Sequence, residues 1–286
     1  MIFDFKDFAK YKYEILNNKL PDSSESGIVF TPTRVINSEI LSDNLSFIEF
    51  NNYDFNESTI HFLNTKSTYL NQISHLSFWN SKIIDLSLLH YFKKVEFLSV
   101  SHIAHPNFSF TGIEYLENLK TLCLLKTGKI KDFKSIVSNN TIENFSIIQP
   151  ANIKQTSGLG NLKGLKYLNI EGSANKIYHL ETLNEIETLA SIEKIKLRRV
   201  KIPFQELMSS LKLPRNIEFE IDANIYETEE YKELSQELKN VKSSVFNPYI
   251  ERRDFFEPIG KGKRVIKKTD KKLVEKLERL QKEWGN

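Results

Sequence analysis

The sequence predicts an α/β repeat protein, in which short β-strands alternate with short returning segments. In the repeated unit, two apolar residues stand on either side of one position. A third apolar residue lies three positions before the first of these two. Six copies are present: Ile73-x-x-Leu76-x-Phe78, Val95-x-x-Leu98-x-Val100, Leu119-x-x-Leu122-x-Leu124, Ile142-x-x-Phe145-x-Ile147, Leu165-x-x-Leu168-x-Ile170 and Ile192-x-x-Ile195-x-Leu197. Their central residues fall at 76, 98, 122, 145, 168 and 195, which gives intervals of 22, 24, 23, 23 and 27 residues. A nearly constant period of this length indicates that each copy is one structural repeat.

The segments that follow the strands are too short and too polar for long helices. Ile83, Leu86 and Leu89 follow the first copy, and a second set with the same spacing of three is Ile177, Leu180 and Leu183. This spacing is typical of a 3₁₀ or short helical return that buries one side. An ordinary α/β domain would need a dozen or more helical residues in each crossover. Residues 101–112 contain too much Pro and Ser for that alternative.

The unit Leu-Lys-Tyr-Leu-Asn-Ile at 165–170, preceded by Leu159-Gly-Asn-Leu162, resembles the leucine-rich repeat family, in its short internalin-like class. The resemblance covers residues 44–223. It implies a solenoid whose strands form a parallel sheet on the concave side, with the returns outside. The Asn that the family places after the strand is replaced in this sequence by Ser81, Ile103, Thr127, Pro150, Ser173 and Val200. We therefore predict a degenerate, irregularly curved leucine-rich-repeat solenoid.

A solenoid needs a cover at each end, and the flanking segments supply candidates. Residues 1–43 are predicted to form an N-terminal cap, with an apolar stripe at helical spacing made of Phe5, Phe8, Tyr11 and Ile15. Residues 224–286 are predicted to form a C-terminal cap helix, with the stripe Tyr231, Leu234, Leu238 and Val241, and a basic helical tail. The tail helix is expected to begin near Thr269, a good N-cap residue. The stretch between the two helices, 247–268, is expected to be irregular because it contains two Pro residues and a Gly-Lys-Gly sequence.

Composition excludes several classes of protein. The 286 residues contain 40 Lys and Arg and 37 Asp and Glu, so a surface that is basic throughout is excluded. The N-terminus lacks the uninterrupted apolar run of a signal peptide, and no stretch approaches 18 consecutive apolar residues, so no membrane span is expected. The single cysteine, Cys123, is typical of a reducing compartment, and we expect a cytoplasmic protein. The ten glycines further suggest that few turns require a positive φ.

The strand positions between the buried residues face the concave side and form three rows. This surface, which we call the concave face, carries the candidate partner-binding residues Phe47, His75, Trp79, Phe97, Tyr167, Lys194, Lys196, Arg198 and Arg199. Its first half is aromatic and neutral, whereas its second half is charged. Aromatic side chains together with arginines are typical of interface anchors. The alternative is that the N-terminal segment shields the aromatic side chains and that the charges pair across strands.

Signals for catalysis and for cofactors are weak. His102 and His105 have a two-histidine spacing, but no carboxylate or cysteine completes a metal site. Cys123 faces the concave side, and we expect it to be a bystander rather than a nucleophile. The glycines around Gly158 miss the dinucleotide-binding spacing and precede a strand, which indicates a turn. We therefore predict no catalytic residues, no metal, no cofactor and no enzymatic activity.

The predicted function is recognition of a protein partner on the concave face. The resemblance to leucine-rich repeat proteins extends this expectation to a bacterial adaptor, inhibitor or toxin-immunity protein. The alternative is nucleic-acid binding through residues 251–286, which hold 12 Lys and Arg against 7 Asp and Glu. A phosphate-contacting tail has this composition. So does a solvated helix with pairs such as Glu275–Arg279 and Glu278–Lys282.

Overall fold

The computed structural model describes residues 26–30, 45–53, 55, 57–103, 105–136 and 141–284. These residues contain a ten-stranded sheet in which every neighbouring pair of strands is parallel. Its strands in spatial order are β1 (Ser26–Phe30), β2 (Leu45–Asn51), β3 (His75–Trp79), β4 (Phe97–Ser101), β5 (Thr121–Leu125), β6 (Asn144–Ile148), β7 (Tyr167–Glu171), β9 (Lys194–Arg198), β11 (Ile217–Ile221) and β12 (Val241–Lys242). A two-stranded parallel sheet joins β8 (Tyr178–His179) and β10 (Val200–Lys201).

The register of the strands aligns the centres of the predicted repeats. Leu76 lies opposite Leu98, which lies opposite Leu122, and the row continues through Phe145, Leu168, Ile195 and Phe219. All seven side chains are at most 1 % exposed and belong to one apolar core. Because strand side chains alternate, the two apolar residues of each unit point into that core together. The prediction of an α/β solenoid with a long parallel sheet is confirmed.

The returns are short, as the spacing of three predicts. Four of them contain 3₁₀ helices, which are Ser87–Tyr91, Ile113–Tyr115, Leu159–Asn161 and Ile186–Thr188. α-Helices replace them in two places: α1 (Glu57–Thr65) and α2 (Ser67–Leu70) lie between β2 and β3, and α3 (Phe204–Leu211) lies before β11. Ile83, Leu86 and Leu89 are buried as predicted, but Ile177 is 42 % exposed and only Leu180 and Leu183 of its set face the core.

Turns with positive φ follow the strands, contrary to the expectation from glycine content. The residue directly after the strand has a φ between 50° and 56° at six of these ends, which are Asn52, Asn80, His102, Lys126, Gln149 and Arg199. The backbone N–H of each of the first five donates to the carbonyl of the last residue in the next strand, at 2.7 to 2.9 Å. This ladder fixes the level of each repeat against the next, and it holds residues other than glycine in the left-handed region.

A C-terminal unit closes the last strand of the sheet. Helix α4 (Thr228–Glu237) buries Tyr231 and Leu234, and its first turn has a capping box between Glu227 and Glu230. The expected irregular stretch contains an antiparallel sheet of β13 (Tyr249–Glu251), β14 (Phe255–Pro258) and β15 (Ile266–Lys267). These strands have only two to four residues, which is too short for the alternation of apolar and polar residues that predicts a strand from sequence.

The basic tail helix packs back onto this unit. Helix α5 runs over Leu273–Trp284, four residues later than the expected start at Thr269. Trp284 packs against the main core, and the ammonium group of Lys232 in α4 donates to the backbone carbonyl of Glu283. None of the described helices is long and apolar enough to cross a membrane. The predicted N-terminal stripe of Phe5, Phe8, Tyr11 and Ile15 lies outside the described residues, whereas β1 lies within 1–43 and continues the sheet.

We predict that Leu122→Ala lowers the free energy of unfolding by about 2–5 kcal/mol, because a fully buried leucine leaves a cavity in the centre of the sheet. Urea denaturation followed by circular dichroism measures the change. The control is Ile84→Ala at a side chain that is 56 % exposed, where we expect a change within about 0.5 kcal/mol. Equal losses in the two variants would contradict the assignment of Leu122 to the core.

Candidate functional site

The concave face consists of three rows of side chains set by the strand register. One outer row runs from Phe47 through His75 and Phe97 to Glu218, and the middle row runs from Glu49 to Glu220. The other outer row runs from Asn51 through Trp79 to Arg198. These are the rows that the alternation predicts, and every sequence-derived candidate except Arg199 lies in one of them. Arg199 lies in the left-handed turn directly after β9.

The first half of the concave face forms an apolar cluster separate from the main core. We define the apolar half as Phe47, Phe97, Cys123, Leu125 and Ile148, with Trp79 packed against them. The first five are between 0 % and 6 % exposed. Phe47 and Phe97 are therefore inaccessible to a partner in this structure, although both point away from the main core. His75 and Trp79 are half-buried, and the His75 ring stacks on Phe97 at 5.7 Å between centroids.

A buried carboxylate lies within this half. Glu49 in β2 is fully buried, and its side chain accepts hydrogen bonds from the Asn51 amide at 3.1 Å and the Ser77 hydroxyl at 3.3 Å. A buried carboxylate is costly unless donors surround it. The two donors come from its own strand and from the neighbouring strand, so they hold the carboxylate on the concave side of the sheet.

The second half of the concave face is a network of cross-strand ion pairs. Lys194 in β9 reaches two carboxylates of β11, Glu218 at 2.8 Å and Glu220 at 2.5 Å. Lys196 lies 3.7 Å from the other oxygen of Glu220. We define the charged half as Glu171, Lys194, Lys196, Arg198, Arg199, Glu218 and Glu220. The side chains of this half are between 24 % and 54 % exposed, so partners can reach them.

The pKa values in the charged half move in the directions that ion pairing dictates. Partial burial disfavours the charged form of Lys194, but hydrogen bonds and the charges of Glu218 and Glu220 outweigh it and raise the pKa of Lys194. For Glu220, burial again opposes ionisation, and the hydrogen bond and charge of Lys194 lower the pKa of the carboxyl below its ordinary value of 4.5. Both side chains are therefore charged at neutral pH. At the border of the two halves, a hydrogen bond from the Tyr167 hydroxyl to Glu193, at 3.1 Å, raises the pKa of Tyr167.

A groove opens beside the charged half, where the C-terminal unit meets the sheet. Its volume is about 790 Å³. Strands β9 and β11 form one wall with Lys196, Arg198, Glu218, Glu220 and Asp222, and the other wall consists of Lys242, Ser243, Ser244, Ile250 and Arg252. Arg252 is held in place by two hydrogen bonds to one carboxylate oxygen of Glu257, at 2.8 and 3.1 Å. The second wall could not be predicted from the sequence pattern, because only the folding of residues 242–252 against the sheet brings it there.

Among the described residues, the side chains that suggested chemistry in the sequence do not come together in a reactive site. Cys123 is 2 % exposed within the apolar half. The His102 ring packs on Trp79 at 4.5 Å between centroids, and its Nδ1 lies 2.7 Å from the Ser101 hydroxyl. Over the part of the chain that the structure describes, no three His, Cys, Asp or Glu side chains group in a way that could hold a metal ion.

Seven of the twelve Lys and Arg side chains in residues 251–286 are paired with acidic side chains. Lys263 lies 2.7 Å from Glu283, Lys268 lies 2.6 Å from Glu251, and Lys276 lies 2.5 Å from Asp270. Arg279 also pairs with Glu283, at 3.7 Å. Paired cations are less available to phosphates, so the structure gives no support to the nucleic-acid alternative.

Comparison with known proteins finds similarity at the level of structure. No protein-family model matches the chain, and no curated protein is similar to it in sequence. Among solved structures, an internalin (inlF) from Listeria monocytogenes shows 19 % identity and a TM-score of 0.43. That match covers 70 % of this chain and 56 % of the internalin, so the chain spans about half of that protein's length. An internalin C2 (inlC2) from the same organism shows 22 % identity and a TM-score of 0.39, over 62 % of this chain and 74 % of that one.

We predict that Glu220→Gln lowers the free energy of unfolding at pH 7 and that this loss shrinks as the pH falls. The pKa of Glu220 is lower in the folded state, so its stabilisation is complete above the unfolded value of 4.5 and disappears as the pH falls through the lower folded value. Urea titrations at pH 7, 5, 4 and 3 measure the difference between wild type and variant.

The matched control is Glu117→Gln, at an exposed carboxylate for which no ion pair is found among the described residues. Its effect on the free energy of unfolding at pH 7 should be small. A Glu220→Gln effect that stays constant from pH 7 to pH 3 would contradict the ion-pair assignment.

Proposed function

We propose that this protein is a non-enzymatic recognition module that binds a protein partner through the charged half of its concave face and the adjoining groove. The observation that carries the proposal is the contrast between the two halves. The apolar half is buried, whereas the charged half is partly exposed and borders a groove with a second polar wall. Side chains fixed on a regular sheet form a preorganised surface, which lowers the entropy cost of binding.

The dimensions of the surface favour a macromolecule over a metabolite. From β7 to β12 the sheet has four strands, which span about 14 Å at a spacing of about 4.8 Å. The groove is lined by side chains of both charges rather than by the mainly apolar walls that enclose small ligands. A surface of this width and mixed charge suits a loop or an extended segment of a protein that carries both acidic and basic side chains.

The contact residues in this proposal come from two sources. Tyr167, Lys194, Lys196, Arg198 and Arg199 are sequence-derived candidates, and Lys242 and Arg252 are added by the groove. Lys196 and Arg198 are the central ones, because they belong to both the ion-pair network and the groove. Of the remaining candidates, His75 and Trp79 border the buried apolar half, and Phe47 and Phe97 lie within it.

A module of this kind serves as an adaptor, an inhibitor or a toxin-immunity protein, and we propose a role of this type in the cytoplasm. The single cysteine supports a reducing compartment. A buried thiol is a poor nucleophile, and the low exposure of Cys123 supports a role without covalent chemistry.

We predict that the double variant Lys196→Ala/Arg198→Ala weakens partner binding about tenfold or more, because exposed anchors at the centre of an interface dominate its affinity. The chain serves as bait for affinity capture, and titration calorimetry then gives the dissociation constant for the purified partner. The melting temperature should change little, since surface ion pairs contribute little to stability.

The matched control is Lys131→Ala/Lys134→Ala, which removes two exposed lysines from the return after β5. This pair should bind the partner with wild-type affinity. The proposal fails if the Lys196/Arg198 variant binds as tightly as the control. Binding of the bait to RNA or DNA, with a steep loss of affinity at raised salt, would instead favour the nucleic-acid alternative.

A further inference from the structure

The longest repeat of the solenoid contributes to a second pocket beside the groove. The interval from Leu168 to Ile195 is 27 residues, whereas the other four intervals are 22 to 24. The longer repeat contains a loop between β7 and β8, residues 173–177, which we call the insertion loop. Residues 174–177 of this loop form one side of a pocket of about 390 Å³, which we call the end pocket. Its other sides consist of Arg198, Arg199, Asp222, Asn224, Ile225 and Glu257.

Both ends of the insertion loop are bonded to the two arginines that face it across the end pocket. The N–H of Gly172 donates to the carbonyl of Arg198, and the N–H of Tyr178 donates to the carbonyl of Arg199, each at 2.8 Å. A Cβ on Gly172 would come within 2.3 Å of the Arg199 carbonyl oxygen, so glycine is required for this close approach. The loop and the two arginines are therefore held together, and the end pocket is preorganised.

The ion pairs of the two arginines are weak. One carboxylate oxygen of Glu171 lies 3.5 Å from Arg198 and 3.8 Å from Arg199. Charge-assisted hydrogen bonds are about 2.7–2.9 Å long, and a guanidinium group carries five N–H donors, so a second carboxylate can still bind here. The side chains of Arg198 and Arg199 are 39 % and 37 % exposed. Lys176 adds an exposed cation, and no carboxylate pairs with it among the described residues.

The carboxylates of the end pocket are bonded to other groups. Asp222 accepts a hydrogen bond from the backbone N–H of Arg199 at 2.5 Å. Glu257 accepts two hydrogen bonds from Arg252, at 2.8 and 3.1 Å. The end pocket therefore favours an anionic group, because three cations line it and its own two carboxylates already have donors.

We propose that the end pocket binds an acidic residue and a neighbouring apolar residue of the partner's segment, which extends into it from the groove. Arg198 and Asp222 line both the groove and the end pocket, so the two spaces adjoin. The apolar contact is Ile177, which is 42 % exposed in the end pocket although its spacing predicts burial. The inference rests on the proposed function, because it names the chemistry of the segment that binds there.

A synthetic peptide tests this chemistry in the full-length chain. The probe is a fluorescein-labelled peptide of the sequence Glu-Glu-Leu-Glu-Glu-Leu-Glu-Glu, and its fluorescence anisotropy is measured during titration at low salt. Ile177→Asp should weaken binding about fivefold or more, and Ile177→Lys should tighten it, because the two charges act in opposite directions. Since Ile177 is exposed, both variants should fold. The proposal is wrong if both substitutions shift the affinity in the same direction or if neither changes it.

A second variant removes cations from the end pocket without changing the groove. Lys176→Gln/Arg199→Gln should weaken binding of the peptide about fivefold or more, because neither residue lines the groove and both line the end pocket. The matched control is Lys93→Gln/Lys94→Gln, which removes two exposed lysines before β4. The control should bind the peptide with wild-type affinity.

Two further outcomes would overturn the proposal. One is that the wild-type chain does not bind the acidic peptide, and the other is that the Lys176/Arg199 variant binds it as tightly as the control. Either result would leave the proposed function standing if Lys196→Ala/Arg198→Ala still weakens binding of the captured partner. Loss of the effect of Lys196→Ala/Arg198→Ala on that partner is the separate failure of the proposed function.

Discussion

The strict register of the parallel strands is the constraint on which the rest of the structure depends. From β2 to β11 each strand enters the sheet at the same level, so the alternation of side chains assigns every residue of these strands to the core or to the concave face. A slip of one residue in any repeat would exchange the two sets, putting Leu98 on the surface and Ser99 in the core. The left-handed turns hold this register. The N–H of Lys126, for example, bonds to the carbonyl of Ile148, the residue that ends the next strand.

These turns show how the solenoid tolerates an unfavourable backbone conformation, the left-handed region, at residues other than glycine. A residue other than glycine costs about 1–2 kcal/mol in the left-handed region. Asn52 and Asn80 adopt it at low cost because asparagine tolerates this region, but Lys126, Gln149 and Arg199 do not share that property. For Lys126 and Gln149 the backbone hydrogen bond to the next repeat offsets the cost, and for Arg199 the backbone N–H donates to the Asp222 carboxylate instead. The asparagine expected after each strand is not needed at every repeat: at its position, Ser81 donates to the carbonyl of Phe50.

The repeat and the membership of the concave face could be predicted from the sequence, because both follow from local alternation and a constant period. The left-handed turns could not, since Lys126 and Gln149 have no preference for positive φ and only the neighbouring repeat imposes it. The burial of Phe97 could not be predicted either, because the alternation of strand residues indicates the side of the sheet on which a side chain lies and not whether that side chain is covered. Strands β13 to β15 were missed because Pro248, Pro258 and Gly260 are typical of loops, and the short strands between them have no period.

The contacts that hold the C-terminal unit against the end of the solenoid also position one wall of the groove. Gly260 donates to the carbonyl of Ala223, and a Cβ at Gly260 would come within 2.1 Å of the Thr228 hydroxyl, so this turn is locked against the start of α4. Thr228 in turn donates to the carbonyl of Ile259. Residues 242–252 form one wall of the groove, and the same unit continues from them into β14 and β15. The terminal cover that a solenoid needs therefore also forms one wall of the groove beside the charged half.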